Sequence, residues 1–586
     1  MKNNKKYLAL MTAGFLAITP MAATCMTAVA EKHTLTVIDT ETANHTYTAY
    51  PIIVGTKHND GTLTGLSWGT GINSTNLIAA LKNSTNAAAL GITLGESPSI
   101  DDVAEALAGI TGADKIEKLA KILNDDEILG TGTGLTRSEN NYSANVDDGW
   151  YLVVDSSTLD NENGPKVRSA NLLQIVGNLE IDAKHSLPTL DKEIVSPNPN
   201  AAKDANTASI GDVVEYKIST KVPDTTGYNR YFFVVNDELS AGLTYNPSSI
   251  AIKVYDKDDN SLKDTLTKDA NEDYKDYDTD HADYYVRTTG STNITIVFED
   301  VINSFENYDV GDDIVITYNA TLNSGANIDP AVGNPNRAKL TYSNDPNTNY
   351  TGTPATTPDE PASGDVVGET PWDTVKTYTT AIKIKKVDTE GNVLEGAGFT
   401  LTGVSSGQAL VITNSFDVSA TGDYWKLKDG SFTTTDPTDS SADSTKYEST
   451  DIKYAKTTTS TLKGSGQSDV NIQAMVGTDG YIVFQGLGAG NYTLTETTVP
   501  ALYNAITPID FEISAAPTAT AANWTIAGFT ADTDNTYQKT IENRKGSILP
   551  TTGGIGTKLF YIIGGMLVAG SVIILVTKKR MSAKED

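Results

Sequence analysis

Short runs of alternating apolar and polar residues recur through most of the chain, and this period of two is its strongest constraint on fold. His33-Thr34-Leu35-Thr36-Val37-Ile38, Val213-Val214-Glu215-Tyr216-Lys217-Ile218 and Ile314-Val315-Ile316-Thr317-Tyr318 are examples, with Gly, Asn and Asp between such runs. Every second side chain then lies on one face, so the runs read as half-buried strands of β-sandwiches. The period changes between Asp101 and Asn124. There Val103, Leu107, Ile110, Ile116, Leu119 and Ile122 follow a helical spacing interrupted by Gly112. The expected fold class is mainly β, with tandem β-sandwich domains behind an N-terminal domain that mixes strands and helices.

The 586 residues allow about four domains, or three plus processed ends, at roughly 150 residues each. Boundaries are expected at Ser186-Leu187-Pro188-Thr189 and between Asn344 and Pro371. That gives domains at 31–185, 186–345 and 381–545, with a linker or edge strand at 346–380. Asn414 to Ser468, rich in Ser, Thr and Asp, reads as a surface insertion within the last domain.

The formal charge of −30 argues against nucleic acid as a partner, because neutralising phosphates takes clustered Lys and Arg. One cysteine, Cys25, rules out disulfides within the chain. His33, His45, His58, His185 and His281 fall at no ligand spacing, so no metal site and no cofactor are expected. The acidic run Glu272, Asp273, Asp276, Asp278 and Asp280 lacks the spacing of a calcium loop and reads as a solvated loop. Gly130 to Gly134 lacks the Lys-Ser/Thr of a phosphate loop.

Residues 1–30 read as a secretory signal: Lys2, Lys5 and Lys6 precede an apolar run from Tyr7 to about Pro20, and Ala28-Val29-Ala30 offers a cleavage site. Cys25 lies in the removed piece, so the exported chain is expected to need a covalent staple other than a disulfide. At the other end Leu549-Pro550-Thr551-Thr552-Gly553 precedes an apolar stretch from Leu559 to Val576, followed by Lys578, Lys579 and Arg580. The stretch is long enough, barely, to cross a bilayer, and the basic tail would stay inside. This order, 549–586, resembles the LPXTG cell-wall sorting signal of Gram-positive surface proteins. The resemblance implies cleavage between Thr552 and Gly553 by a sortase, transfer to peptidoglycan, and a membrane-held state only before sorting.

The last domain opens with Ile382-Lys383-Ile384-Lys385-Lys386-Val387-Asp388, continues through Tyr492-Thr493-Leu494-Thr495-Glu496-Thr497, and closes with Thr540-Ile541-Glu542-Asn543-Arg544. It resembles the B-type repeat of Gram-positive collagen adhesins and pilins. That implies a covalent Lys–Asn isopeptide bond between Lys386 and Asn543, with Glu496 as the assisting acid. Lys383 and Lys385 are rivals, but alternation sets both opposite Ile382 and Ile384, whereas Lys386 shares the apolar face.

The middle domain carries a parallel set: Leu190-Asp191-Lys192-Glu193-Ile194, Asn236-Asp237-Glu238-Leu239, and Gly333-Asn334-Pro335-Asn336-Arg337. It resembles the central Ig-like domain of sortase-assembled pilin backbones, which implies a bond between Lys192 and Asn336 assisted by Asp237, with Asn334 and Glu238 as alternatives. Each bond would join the first strand of a sandwich to its last. Lys184 stands where that family places the lysine joined to the next subunit, although Asp182 and Ala183 replace the Tyr and Pro of its motif. Thr46 to Tyr50 and Leu66 to Asn73 also resemble the pilin N-terminal domain, whose first strand here offers no lysine, so no isopeptide is expected there.

The chemistry follows from burial. A lysine among apolar side chains loses the hydration of its charge and becomes a neutral nucleophile, while a buried carboxyl stays protonated and can polarise the amide as ammonia leaves. The implied function is the shaft subunit of a covalent Gram-positive pilus, not an enzyme on outside substrates. Its implied partners are further copies of itself, a pilus-class and a housekeeping sortase, peptidoglycan, minor pilins and a host surface ligand. The alternative is a wall-anchored adhesin or minor pilin that presents a ligand-binding surface.

Overall fold

The computed structural model describes residues 32–582 except 40–43, 59–61, 160–167, 169, 176, 184–187, 197–203, 226–227, 229, 270–282, 299–300, 347–365, 465–471 and 547–554. The N-terminal domain has two sheets. One runs in the order Thr136–Ser138, Asn141–Val146, His33–Ile38, Leu179–Asp182, and the other Leu63–Trp68, Tyr47–Lys57, Gly149–Asp155, Ala170–Ile175. His33–Ile38 lies parallel to Leu179–Asp182, so the chain leaves beside the strand by which it entered. The helical spacing of 101–124 resolves into two helices, Ile100–Ala108 and Ala113–Leu123. Ser99 and Asp102 form a reciprocal cap on the first, and Gly112 precedes the second at a φ of 104°, which glycine tolerates without a Cβ clash. Val103, Leu107, Ile116 and Leu119 then pack on Leu77 and Leu152. Two further helices, Ser74–Lys82 and Ser84–Leu90, precede them, capped by Asn73 and Asn83.

The middle domain is a sandwich. One sheet runs Asp191–Ser196, Val213–Lys221, Asp313–Leu322, Ala251–Tyr255, Leu262–Thr265, with Leu243–Tyr245 also paired to the third of these. The facing sheet runs Ala205–Thr207, Asp373–Tyr378, Asn334–Ser343, Phe233–Leu239, Asn293–Phe298, Tyr284–Thr289. Val214, Ile218, Val235, Ile316 and Leu340 fill the space between. The stretch 346–380 differs from a free linker wherever it is described. Val367–Glu369 and Asp373–Tyr378 both pair with Asn334–Ser343, so Asn334–Ser343 is not the last strand of its sandwich.

The last domain has one sheet in the order Tyr454–Lys463, Ala409–Val418, Tyr481–Leu487, Thr380–Asp388, Tyr537–Asn543, Thr530–Ala531. Its second sheet runs Ile472–Met475, Gly398–Thr402, Gly490–Thr498, Ile509–Pro517, Ala522–Ile526. The Ser/Thr/Asp-rich stretch extends a hairpin of the first sheet, from Ala409–Val418 to Tyr454–Lys463. Its tip is gathered by Phe416 stacked on Phe432 with ring centroids 4.0 Å apart, and by Tyr454 edge-on to Phe432. Beyond this domain Ile555–Ser582 is helical, and Phe560–Met581 is long and apolar enough to cross a membrane.

The middle and last domains are firmly joined. Thr379 alone separates the strands Asp373–Tyr378 and Thr380–Asp388. Ala205 and Tyr378 belong to the apolar core of the last domain. Ile210 is buried at the joint, its N–H donating to Gly486 O at 2.9 Å, while Gly488 N–H donates to Ser209 Oγ at 3.0 Å. Gly486 has a φ of +86°, and a Cβ there would lie 2.1 Å from Ile210 Cδ1. Gly486→Ala is therefore expected to destabilise the joint by about 1–3 kcal/mol. Urea unfolding of the secreted chain checks this, and an unchanged midpoint would show that the joint adds no stability.

Candidate functional site

In the middle domain the strand alternation of Asp191–Ser196 turns Lys192 inward from one sheet, while Asp237 and Asn336 face it from the other. Phe233–Leu239 and Asn334–Ser343 are neighbours in a register that sets Leu239 opposite Asn336. Asp237, two residues back, is therefore a diagonal neighbour of Asn336 on the same face. All three side chains are buried, Lys192 and Asn336 with 0% exposure. Lys192 Nζ donates to Asp237 Oδ2 at 2.6 Å and to Tyr318 OH at 2.7 Å. Tyr318 OH donates to Asp237 Oδ2 at 2.7 Å and accepts from Asn336 Nδ2 at 2.8 Å. Tyr216, stacked on Tyr318 with centroids 5.3 Å apart, completes the wall.

Burial sets the electrostatics. It pushes the Lys192 amine down from its ordinary value, with Asp237 pulling the other way, and it pushes the Asp237 carboxyl up, opposed by Lys192. Both shifts favour the uncharged pair. Asp237 Oδ1 and Asn336 Oδ1 are buried without a hydrogen-bond partner. A proton on Asp237 would give the carboxyl a donor in a site where two buried acceptors lack one. The alternatives sit elsewhere. Glu238 points outward and is ion-paired with Arg337 at 2.6 Å. Asn334 is buried, but its amide ties Asn327 and Thr377 backbone groups.

In the last domain Thr380–Asp388 and Tyr537–Asn543 lie side by side in parallel, with Asp388 opposite Asn543. Lys386 is buried, whereas Lys383 reaches Asp532 at 2.9 Å and Lys385 lies over the Tyr481 ring, both half-buried. Asn543 Nδ2 donates to Glu496 Oε1 at 2.8 Å, and Glu496 Oε2 accepts from Ile506 N–H at 3.0 Å. Lys386 Nζ is held apart from both, donating to the carbonyls of Ile541 at 3.1 Å and Val387 at 3.3 Å. Burial lowers the Lys386 amine to about 8, with Glu496 opposing. The two sites thus place the same residue types differently: lysine on acid in the middle domain, amide on acid in the last.

Tyr318 is the site residue that sequence reasoning missed. The alternation that turns Ile314 and Ile316 inward also turns Tyr318 inward, and a buried phenol needs a polar partner, so the signal was there. Lys184, Leu549, Pro550, Thr551, Thr552, Gly553 and the acidic run 272–280 lie outside the described residues. Elsewhere Asp256, Asp309 and Asp312 converge, with Lys263 Nζ among them at 2.9, 3.2 and 2.7 Å.

Residues 210–346 match the family described as Gram-positive pilin backbone subunit 2, Cna-B-like domain. Residues 380–526 match the SpaA prealbumin-like fold domain, and 544–582 the LPXTG cell wall anchor motif. These matches define a class, the wall-anchored surface proteins of Gram-positive bacteria built from Ig-like, Cna-B-type domains. Within it the chain belongs to the backbone subunits of sortase-assembled pili. It is a structural subunit that is secreted, polymerised and wall-anchored by sortase, with the C-terminal apolar helix as a transient membrane tether. The trypsin-resistant surface T6 protein of Streptococcus pyogenes serotype M6 is 25% identical over 409 residues, spanning 68% of this chain and 70% of that protein. The solved T6 backbone pilin of that serotype, described as modular and three-domain, covers 89% of this chain and 100% of its own at a TM-score of 0.50 and 16% identity, a likeness of fold. The full-length major pilin SpaD of Corynebacterium diphtheriae covers 88% of this chain and 98% of its own, at 16% identity and a TM-score of 0.41.

The lowered Lys386 amine has a consequence for stability. Asn543→Ala removes the amide but leaves Lys386 and Glu496 in place. Between about 8 and 10.5 the unfolded chain binds a proton at Lys386 that the folded chain has shed. Stability of this variant is therefore expected to rise with pH through that window and to be lost as pH falls toward 8. Melting temperatures across the window check it, and Lys386→Met on the same background should flatten the rise.

Proposed function

We propose that this pilin backbone is stapled internally by two autocatalytic isopeptide bonds, Lys192–Asn336 and Lys386–Asn543, with Asp237 and Glu496 as the assisting acids. The observation that carries the reading is the middle-domain cluster, where a buried amine, a buried carboxyl and a buried amide share one hydrogen-bonded network. The uncharged amine attacks the Asn Cγ, the new C–N bond forms, the old C–Nδ2 bond breaks, and ammonia leaves with the proton the lysine gives up. Folding supplies the proximity, so nothing beyond the chain is consumed.

The staples suit a fibre that is secreted without a disulfide. Each would close a loop of about 150 residues, which by the chain-entropy argument for cross-links stabilises by about 5 kcal/mol. In the shaft we place the carbonyl of Thr552 on the Lys184 amine of the next copy, transferred by a pilus-class sortase. A housekeeping sortase would pass the finished polymer to peptidoglycan. Minor pilins and a host surface ligand complete the proposed partners.

Two measurements test this. The intact mass of the secreted chain is expected to fall short of the sequence mass by two ammonia molecules. Asp237→Ala and Glu496→Ala should each restore one and lower protease resistance, whereas a full sequence mass in the unaltered protein refutes the staples. On immunoblots of wall extract, Lys184→Ala should collapse a ladder of SDS-resistant species to monomer. A surviving ladder would move the linkage to another lysine, and a single band from the unaltered protein would favour a monomeric adhesin.

A further inference from the structure

The middle-domain network contains one group that the cross-linking reaction, as proposed above, leaves without a task. Tyr318 OH touches Lys192 Nζ at 2.7 Å, Asp237 Oδ2 at 2.7 Å and Asn336 Nδ2 at 2.8 Å. It thus meets the attacking atom, the acid and the leaving nitrogen at once. Asp237 shares no hydrogen bond with the Asn336 amide nitrogen, because its Oδ2 is taken by Lys192 and Tyr318 and its Oδ1 has no partner. In the last domain the acid holds the amide nitrogen directly, through Glu496 Oε1. The phenol therefore stands where a carboxylate oxygen stands at the other site.

Resting on the isopeptide reading of this site, we propose that Tyr318 is a catalytic residue of Lys192–Asn336 bond formation, relaying a proton from Asp237 to the departing nitrogen. The Lys192 amine adds to Asn336 Cγ, and the former amide nitrogen, no longer conjugated, gains a lone pair that can accept a proton. The Tyr318 hydroxyl, which donates to Asp237 Oδ2 in the resting site, turns toward that new lone pair, and its proton moves to the nitrogen as a proton on Asp237 Oδ2 moves to the phenol oxygen. The C–Nδ2 bond breaks, ammonia departs, and the surplus proton of the lysine nitrogen returns to Asp237. One amine and one amide become one substituted amide and one ammonia, with Asp237 and Tyr318 restored.

The surroundings fit a relay. Burial holds the phenol well above its ordinary pKa, so it stays neutral between transfers. Tyr216 stacks on one side of the ring, and Tyr245 meets it edge-on at 5.6 Å. The oxygen is thereby fixed, and removing it leaves the ring packing in place.

The test is Tyr318→Phe in the full secreted chain, made by cell-free synthesis and sampled over time for intact mass. The last-domain bond serves as an internal control for folding. The variant is expected to lose one ammonia as promptly as the unaltered protein and the second about 10²-fold more slowly, the scale of a lost proton-transfer catalyst. Loss of the second ammonia at the unaltered rate overturns the role of Tyr318. A full sequence mass in the unaltered protein instead refutes the isopeptide reading, a separate result. If Tyr318→Phe does not fold, 3-fluorotyrosine at 318 keeps the packing and makes the phenol more acidic. A changed rate of the second loss then supports the relay, and an unchanged rate overturns it.

Discussion

A lysine amine held between two sheets, with no water to solvate its charge, is the constraint on which the middle of this pilin depends. An isolated ammonium at the position of Lys192 would cost several kcal/mol in desolvation. The sandwich meets that cost by lowering the amine and raising Asp237, so that the pair is driven toward neutrality. The same shifts that make the site tolerable as structure are the ones the proposed bond formation requires. A neutral amine is a nucleophile, and a protonated carboxyl is an acid. Stability and reactivity have one cause here, the exclusion of water by Tyr216, Tyr318 and the apolar layer around them.

The two sites reach that condition by different routes. In the middle domain the lysine and the amide come from facing sheets, so a bond between them would pin the sandwich through its core. In the last domain both come from adjacent parallel strands, and the acid comes from across the sandwich. There Lys386 Nζ rests on the backbone carbonyls of Val387 and Ile541, which satisfy the buried amine in the absence of a side-chain partner among the described residues.

Much of this was legible in the residues. Period-two alternation chose Lys386 over Lys383 and Lys385, because strand parity fixes which side chains face the core. Parity also bears on the two assignments within the middle domain. Asp237 lies between Val235 and Leu239 in the same inward row, whereas Glu238 does not. Asn334 and Asn336 share parity, so alternation could not choose between them; their partners differ, since Asn334 holds backbone groups of Asn327 and Thr377 whereas Asn336 Nδ2 donates to Tyr318 OH. The segment 346–380 is less legible. Its prolines and threonines read locally as linker or edge strand, and which of the two Asp373–Tyr378 becomes depends on pairing with a strand about 40 residues earlier, which no local pattern encodes. The helices Ser74–Lys82 and Ser84–Leu90 are short and built largely from small and polar residues, which blur a helical period.

The late strands change how such a shaft would carry tension. With a Lys386–Asn543 bond in place, force entering the last domain at Thr380 passes across the sheet at Lys386 and leaves at Asn543, with no folded strand of that domain beyond it. The middle domain is different. A Lys192–Asn336 bond would shield residues 193–335, but the chain from Asn336 to Thr380 would still lie in the force path. That segment holds Val367–Glu369 and Asp373–Tyr378, fixed without a covalent link by backbone pairing, by Val375 in the core of the middle domain, by Asp373 Oδ2 accepting from Lys192 N–H at 2.7 Å, and by Tyr378 in the core of the next domain. Hydrogen-bonded strands separate bond by bond when peeled and resist together when sheared. Asp373–Tyr378 runs antiparallel to the strand that holds Asn336 and is directly continuous with Thr380–Asp388. Pulled from its far end, it slides along its neighbour rather than lifting from it. The joint formed by Ile210, Gly486 and Tyr378 therefore adds to the staples, because it anchors the end of a stretch that a Lys192–Asn336 bond would not protect.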